Sequence, residues 1–120
     1  MPASDSALVD YAQIDCLLDA AGRDGVNEIL HAFWKSTDDL VRQLNQQIAG
    51  ANFAEAARTS HAIKGSAANV GANMLSDAAR SVEVCCKGSD GAGAASALII
   101  LIAAYEKTRS ALTAHVEAAA

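Results

Sequence analysis

Apolar residues return every three or four positions through most of this chain, and the breaks in that rhythm divide it into helices. Residues 1–9 read as a flexible lead-in. Asp10 then stands where a helix cap belongs, and Tyr11, Ile14, Leu17, Leu18 and Ala21 fall on one side of a short helix. Gly22 and Gly25 bracket the turn that closes it. A longer stripe follows: Val26, Ile29, Leu30, Phe33, Leu40, Leu44 and Ile48, with Thr37 filling one register position, and it ends at Gly50. Asn52 and Glu55 occupy the capping-box positions of the next helix, 53–70, which Gly71 terminates. A connection this short makes the two helices antiparallel neighbours. Asn73 is placed to cap a helix carrying Leu75, Ala78, Ala79 and Val82 and ending near Cys86. Residues 87–93 (KGSDGAG) form the clearest loop. In the last helix Leu98, Ile102, Tyr105, Leu112 and Val116 alternate spacings of three and four, with Arg109 completing the register. The pattern predicts an all-α fold: an up-down four-helix bundle with a short additional helix in front, as one domain over 1–120.

Composition agrees. Hydrophobic residues make up 52% of the 120 positions but aromatics only 4%, and alanine supplies much of the difference. Alanine favours close-packed helices over a sheet of β-branched and aromatic side chains. The single proline, Pro2, lies ahead of every predicted helix. A net charge of −5 opposes a nucleic-acid surface or direct contact with an anionic membrane, since both call for clustered lysine and arginine. The start, MPASDSALVD, lacks the basic and apolar regions of a signal peptide. The most apolar run, 97–105 (ALIILIAAY), falls short of the roughly 20 residues that span a bilayer and is expected to be buried. Cys16, Cys85 and Cys86 are odd in number and give no disulfide framework, so reduced thiols and a cytoplasmic setting are expected.

The stretch RTSHAIKGSAANVG (58–71) is where chemistry concentrates. A glycine inside a helix costs about 1 kcal/mol relative to alanine, so Gly65 needs a reason. On a wheel of about 100° per residue, Ile63 lies roughly 160° from His61, with Ala56, Thr59 and Val70 on the side of Ile63. That side faces the core and His61 faces solvent. Within roughly 40° of His61 lie Ala54, Ala57, Gly65 and Ala68, all small, and Arg58 and Lys64 flank this strip. The result is a nearly bare track under an exposed imidazole, with two cations beside it. A neutral imidazole is a nucleophile near pH 7, and phosphoryl transfer depends mostly on positioning and on stabilising the equatorial oxygens. The chain has no phosphate-binding glycine loop, nucleotide fingerprint or cluster of metal carboxylates. A phosphate carried here has to come from another domain and leave to another.

The spacing His61-x-x-Lys64-Gly65-Ser66-x-x-Asn69-x-Gly71, set on the second long helix of such a bundle, resembles the signature of the histidine-containing phosphotransfer (HPt) domain family. The resemblance implies that His61 accepts a phosphoryl group from the aspartyl phosphate of a receiver domain and passes it to another, reversibly. It implies that Lys64 steadies the phosphoryl group and that Gly65 leaves room for a receiver domain; Ala57, Ala68 and Arg58, which the wheel puts on or beside the same track, are expected to meet that partner. The partners implied are receiver domains of response regulators or of a hybrid sensor kinase. The chain itself would be a monomeric carrier without an ATP site or cofactor, any Mg²⁺ being held by the receiver. Family members carry a glutamine or similar residue on the following helix, hydrogen-bonded to the imidazole. Glu83 falls at that place, and a carboxylate there should fix the Nδ1–H tautomer and leave Nε2 open.

Plainer readings compete. Glu83 could be a salt-bridge partner for Arg80 or Lys87, and Lys64 a solvated charge. His31 and His115 read as ordinary surface residues. Adjacent Cys85 and Cys86 lack a C-x-x-C spacing. A bundle binding metal through histidines and cysteines would need Glu-x-x-His pairs on facing helices, which the chain lacks. A helical adaptor that docks receivers without carrying phosphate would be marked by loss of the histidine or the lysine, and both are present.

Overall fold

Asp10 opens the first helix by accepting a hydrogen bond from the Gln13 N–H (3.2 Å), as its position predicts. The computed structural model, which describes residues 8–119, contains four helices: α1 (Tyr11–Ala49), α2 (Phe53–Asn69), α3 (Asn73–Lys87) and α4 (Gly91–Ala118). Each packs on its chain neighbours and α4 returns against α1, which closes an up-down bundle. The short leading helix is the first segment of α1. It is set off by Gly22, whose φ of 73° and ψ of 173° interrupt the helical backbone. The expected turn between Gly22 and Gly25 shrinks to this one residue. Gly25 is already helical, and a Cβ on it would stand 2.8 Å from that of Ala21, so the kink itself requires the missing side chain. Residues 1–7 of the expected lead-in lie outside the described residues. The rest of it is not loose: Val9 is fully buried and Leu8 packs on the core.

The stripe on α1 buries Val26, Leu30, Phe33, Thr37 and Leu44, with Leu40 and Ile48 half-buried. Ile29 departs from expectation and is exposed, while Trp34 is buried. On the wheel Ile29 lies about 80° from the centre of the stripe, beyond the width the neighbours cover. The capping box expected of Asn52 and Glu55 does not form. The Asn52 N–H that Glu55 would have to bond already donates to the Gln47 carbonyl (2.8 Å), and Glu55 pairs with Arg58 instead. Asn73 is likewise inside its helix rather than capping it, since Ala72 holds the cap position.

Gly71 ends α2 with a φ of 72°, and here the start of α1 meets the end of α2. The Asp10 N–H donates to the Gly71 carbonyl (2.8 Å), and a Cβ on Gly71 would press to 3.0 Å from the Asp10 carbonyl oxygen. The Gln13 amide donates to the carbonyls of Ala68 (3.1 Å) and Asn69 (3.0 Å), satisfying acceptors that the end of a helix leaves open. The loop expected over 87–93 is shorter than its composition suggests. Asp90 accepts from the Gly93 N–H (2.9 Å) and caps α4, so residues 91–93 are helical.

On α4 the buried face runs through Ala94, Leu98, Leu101, Tyr105, Thr108, Leu112 and Val116. The expected register is displaced at two positions: Ile102 is half-buried, and Arg109 is exposed and lies over the Trp34 ring, 5.3 Å from its centroid. Ile99 and Ile100 are also exposed, contrary to the burial expected of 97–105. An unbroken apolar run covers every face of a helix, and α1 and α3 cover only part of this one. Among the described residues no helix is long and apolar enough to cross a membrane.

Candidate functional site

The wheel of α2 places its side chains as its periodicity predicts. Ala56, Thr59, Ser60, Ile63 and Ala67 are buried, and His61 stands on the opposite side with 66% of its side chain exposed. Gly65 and Ala68 are exposed beside it, whereas Ala57 is half-buried against the core and contributes only an edge to the track. Nothing lies within 4 Å of where a Cβ on Gly65 would be, and its backbone is ordinary helix. Gly65 therefore serves neither strain nor internal packing, and what it leaves open is the surface next to His61. Arg58 turns away along the helix to Glu55.

The centre of the cluster comes from α3. Glu83 is a carboxylate with only 7% of its side chain exposed, and it meets three positively polarised groups. Its Oε1 accepts from Lys64 Nζ (2.9 Å), while its Oε2 lies 3.0 Å from His61 Nδ1 and 3.1 Å from Lys87 Nζ. The hydrogen bond from the Lys64 ammonium is the main reason that the Glu83 pKa falls from 4.5 to about 2. Burial opposes the shift, and Lys87 and His61 add to it. At neutral pH such a carboxylate can only accept, so the hydrogen shared with His61 belongs to Nδ1. In the neutral ring the lone pair is then on Nε2, which has no partner among the described residues.

The structure thus brings His61, Lys64 and Glu83 together and leaves Gly65 and Ala68 beside them. Both readings of Glu83 hold at once: it touches the imidazole and it pairs with Lys87, though not with Arg80. Lys64 is paired as well, with Glu83, rather than standing as a solvated charge. Lys87 had a local signal in its i,i+4 spacing from Glu83. The clamp of Gln13 on the end of α2 had none, since 55 residues separate it from Ala68.

His31 is exposed. His115 is less of a surface residue than expected, half-buried beside Tyr11 and 2.7 Å from Asp15 Oδ1. The three cysteines are unbridged, and burial pushes the Cys86 thiol up. Among the described residues no group of three or more His, Cys, Asp or Glu side chains could hold a metal ion.

Compared with known protein families, the chain matches the Hpt domain over residues 28–119. It belongs to that family. As an Hpt domain the chain has a role in phosphotransfer relays, and its helical bundle is the family's fold. Among solved structures it is similar to a histidine-containing phosphotransfer protein from Medicago truncatula, with a TM-score of 0.84 and 21% identity over 93% of this chain and 79% of that one. It is also similar to one from maize, with a TM-score of 0.79 and 23% identity over 93% of this chain and 85% of that one. No curated protein matches the sequence. At such identities the structural likeness concerns the fold, and the roles of individual residues rest on the geometry above.

Proposed function

We propose that this Hpt domain is a reversible phosphorelay intermediate in which His61 carries the phosphoryl group between receiver domains of response regulators or of a hybrid sensor kinase. The observation that carries the reading is the held imidazole: Nδ1 faces the buried Glu83 carboxylate at 3.0 Å, and Nε2 faces outward over a track left bare at Gly65 and Ala68. The Nε2 lone pair attacks the phosphorus of an aspartyl phosphate on the docked receiver. The bond from phosphorus to the aspartyl oxygen breaks, and its electron pair stays on the receiver's carboxylate. The ring keeps its Nδ1 proton and becomes a phosphorylated imidazolium, whose positive charge the Glu83 carboxylate stabilises. Lys64, one turn along α2, turns from Glu83 to the phosphoryl oxygens. Transfer to the next receiver reverses these steps.

The test is incubation with a phosphorylated receiver domain, followed by assay for an acid-labile, base-stable label. The label is expected on the parent protein and absent from His61→Gln. Label retained by that variant, or found on His31 or His115, would overturn the assignment.

A further inference from the structure

The Glu83 carboxylate is shared by two lysines of different standing. Lys64 holds Oε1 from α2, with 32% of its side chain exposed, while Lys87 holds Oε2 from the last turn of α3, with 67% exposed. If Lys64 turns to a phosphoryl group on His61, as the proposed function has it, a buried carboxylate loses its strongest partner at the moment a phosphate arrives beside it. Burial without a partner disfavours the charged form, and the phosphate would repel it further. Lys87 is placed to prevent this. It reaches the same oxygen that faces His61 Nδ1, and it lies on the helix that carries Glu83, so its contact does not depend on where Lys64 points.

We propose that Lys87 is a positioning residue for phosphorylation of His61: it holds the Glu83 carboxylate charged and in place under Nδ1 while Lys64 moves to the phosphoryl oxygens. The inference rests on the phosphorelay reading of His61. With one carboxylate between two ammonium groups, the cluster retains a surplus positive charge for the incoming phosphate. Once Lys64 has turned away, Glu83 is still paired and the imidazolium still has its acceptor. Lys87 acts through Glu83 and has no task if position 83 is neutral.

Phosphoramidate tests this without a partner protein. The imidazole attacks its phosphorus, the P–N bond breaks and ammonia leaves with the electron pair. The loading rate of His61 would be measured for the parent, Lys87→Gln, Lys87→Arg, Glu83→Gln and the Glu83→Gln/Lys87→Gln double variant, with thermal melts to establish that each is folded. Lys87→Gln is expected to load about three-fold more slowly, a size set by a half-exposed ion pair, with Lys87→Arg near the parent rate. In the Glu83→Gln background, removing Lys87 is expected to change nothing further. A parent rate for Lys87→Gln, or an equal loss in both backgrounds, would overturn the inference while leaving the phosphorelay reading intact. Failure of the parent to take phosphate on His61 would overturn that reading, and the role of Lys87 with it.

Discussion

Replacing Glu83 by glutamine removes the one group that His61, Lys64 and Lys87 share, and it should make part of the stability of the domain insensitive to acid. The Glu83 pKa is lowered from 4.5 to about 2 by the Lys64 hydrogen bond, with help from Lys87 and His61. A depression of that size corresponds to roughly 3.5 kcal/mol at about 1.4 kcal/mol per pH unit. Solvent around the Lys87 ammonium and part of Lys64 screens the pairing, so about 1–2 kcal/mol is the expected contribution. A carboxylate whose pKa is lower in the folded state contributes fully above its ordinary value. That contribution is lost as pH falls from about 5 toward about 2. Denaturant midpoints of the parent and Glu83→Gln should therefore be compared from pH 7 to pH 3. The parent should be more stable by about 1–2 kcal/mol at pH 7, and the gap should close on acidification, because glutamine does not titrate. Taking the difference between the proteins cancels the titration of the other carboxylates. A gap that stays constant with pH, or widens in acid, would refute the assignment of this stabilisation to an ionised Glu83.

Other substitutions probe the docking track, the second cation of the site and the core. Gly65→Ala should stabilise the domain by up to about 1 kcal/mol in a thermal or denaturant melt, because its backbone is helical and its Cβ would meet open space. Gly65→Gln should fold as well as the parent yet slow transfer from a receiver by roughly tenfold or more, since docking geometry is tolerant only to about 1 Å; an unchanged rate would remove the bare track from the docking argument. Lys64→Ala should slow transfer about three- to tenfold, somewhat less than a full charge-assisted bond is worth, because reaching the phosphate would cost the lysine its bond to Glu83. Thr108 is fully buried and its hydroxyl has no partner among the described residues, so Thr108→Val should raise unfolding stability by about 1 kcal/mol.

What the sequence made legible follows from the range of the forces involved. The face of α2 that presents His61 is set by helix geometry alone, which is why the wheel separates Ile63 from His61 without any knowledge of neighbours. The limits of α2 and α3 were likewise close to their local signals. Caps were less legible, because Asn52 and Glu55 each found a competing partner, Gln47 and Arg58, that a pattern of residue types does not weigh. The α4 register was displaced because its apolar run offers several possible faces, and the choice among them belongs to α1 and α3. At the site, the neighbourhood of Glu83 and His61 came from a family resemblance. The capture of Lys64 by Glu83 depended on the distance between two packed helices. The Gln13 clamp depended on a contact between residues far apart in the chain.

In the proposed relay, Glu83 holds Nδ1 of His61 and leaves Nε2 as the nucleophile. NMR of the protein labelled with ¹⁵N in its histidine rings, after phosphorylation, distinguishes the two nitrogens directly through coupling to phosphorus. One phosphohistidine is expected, at position 61, with phosphorus bonded to Nε2 and the proton retained on Nδ1. Phosphate on Nδ1, or on any other residue while His61 stays unmodified, would contradict it.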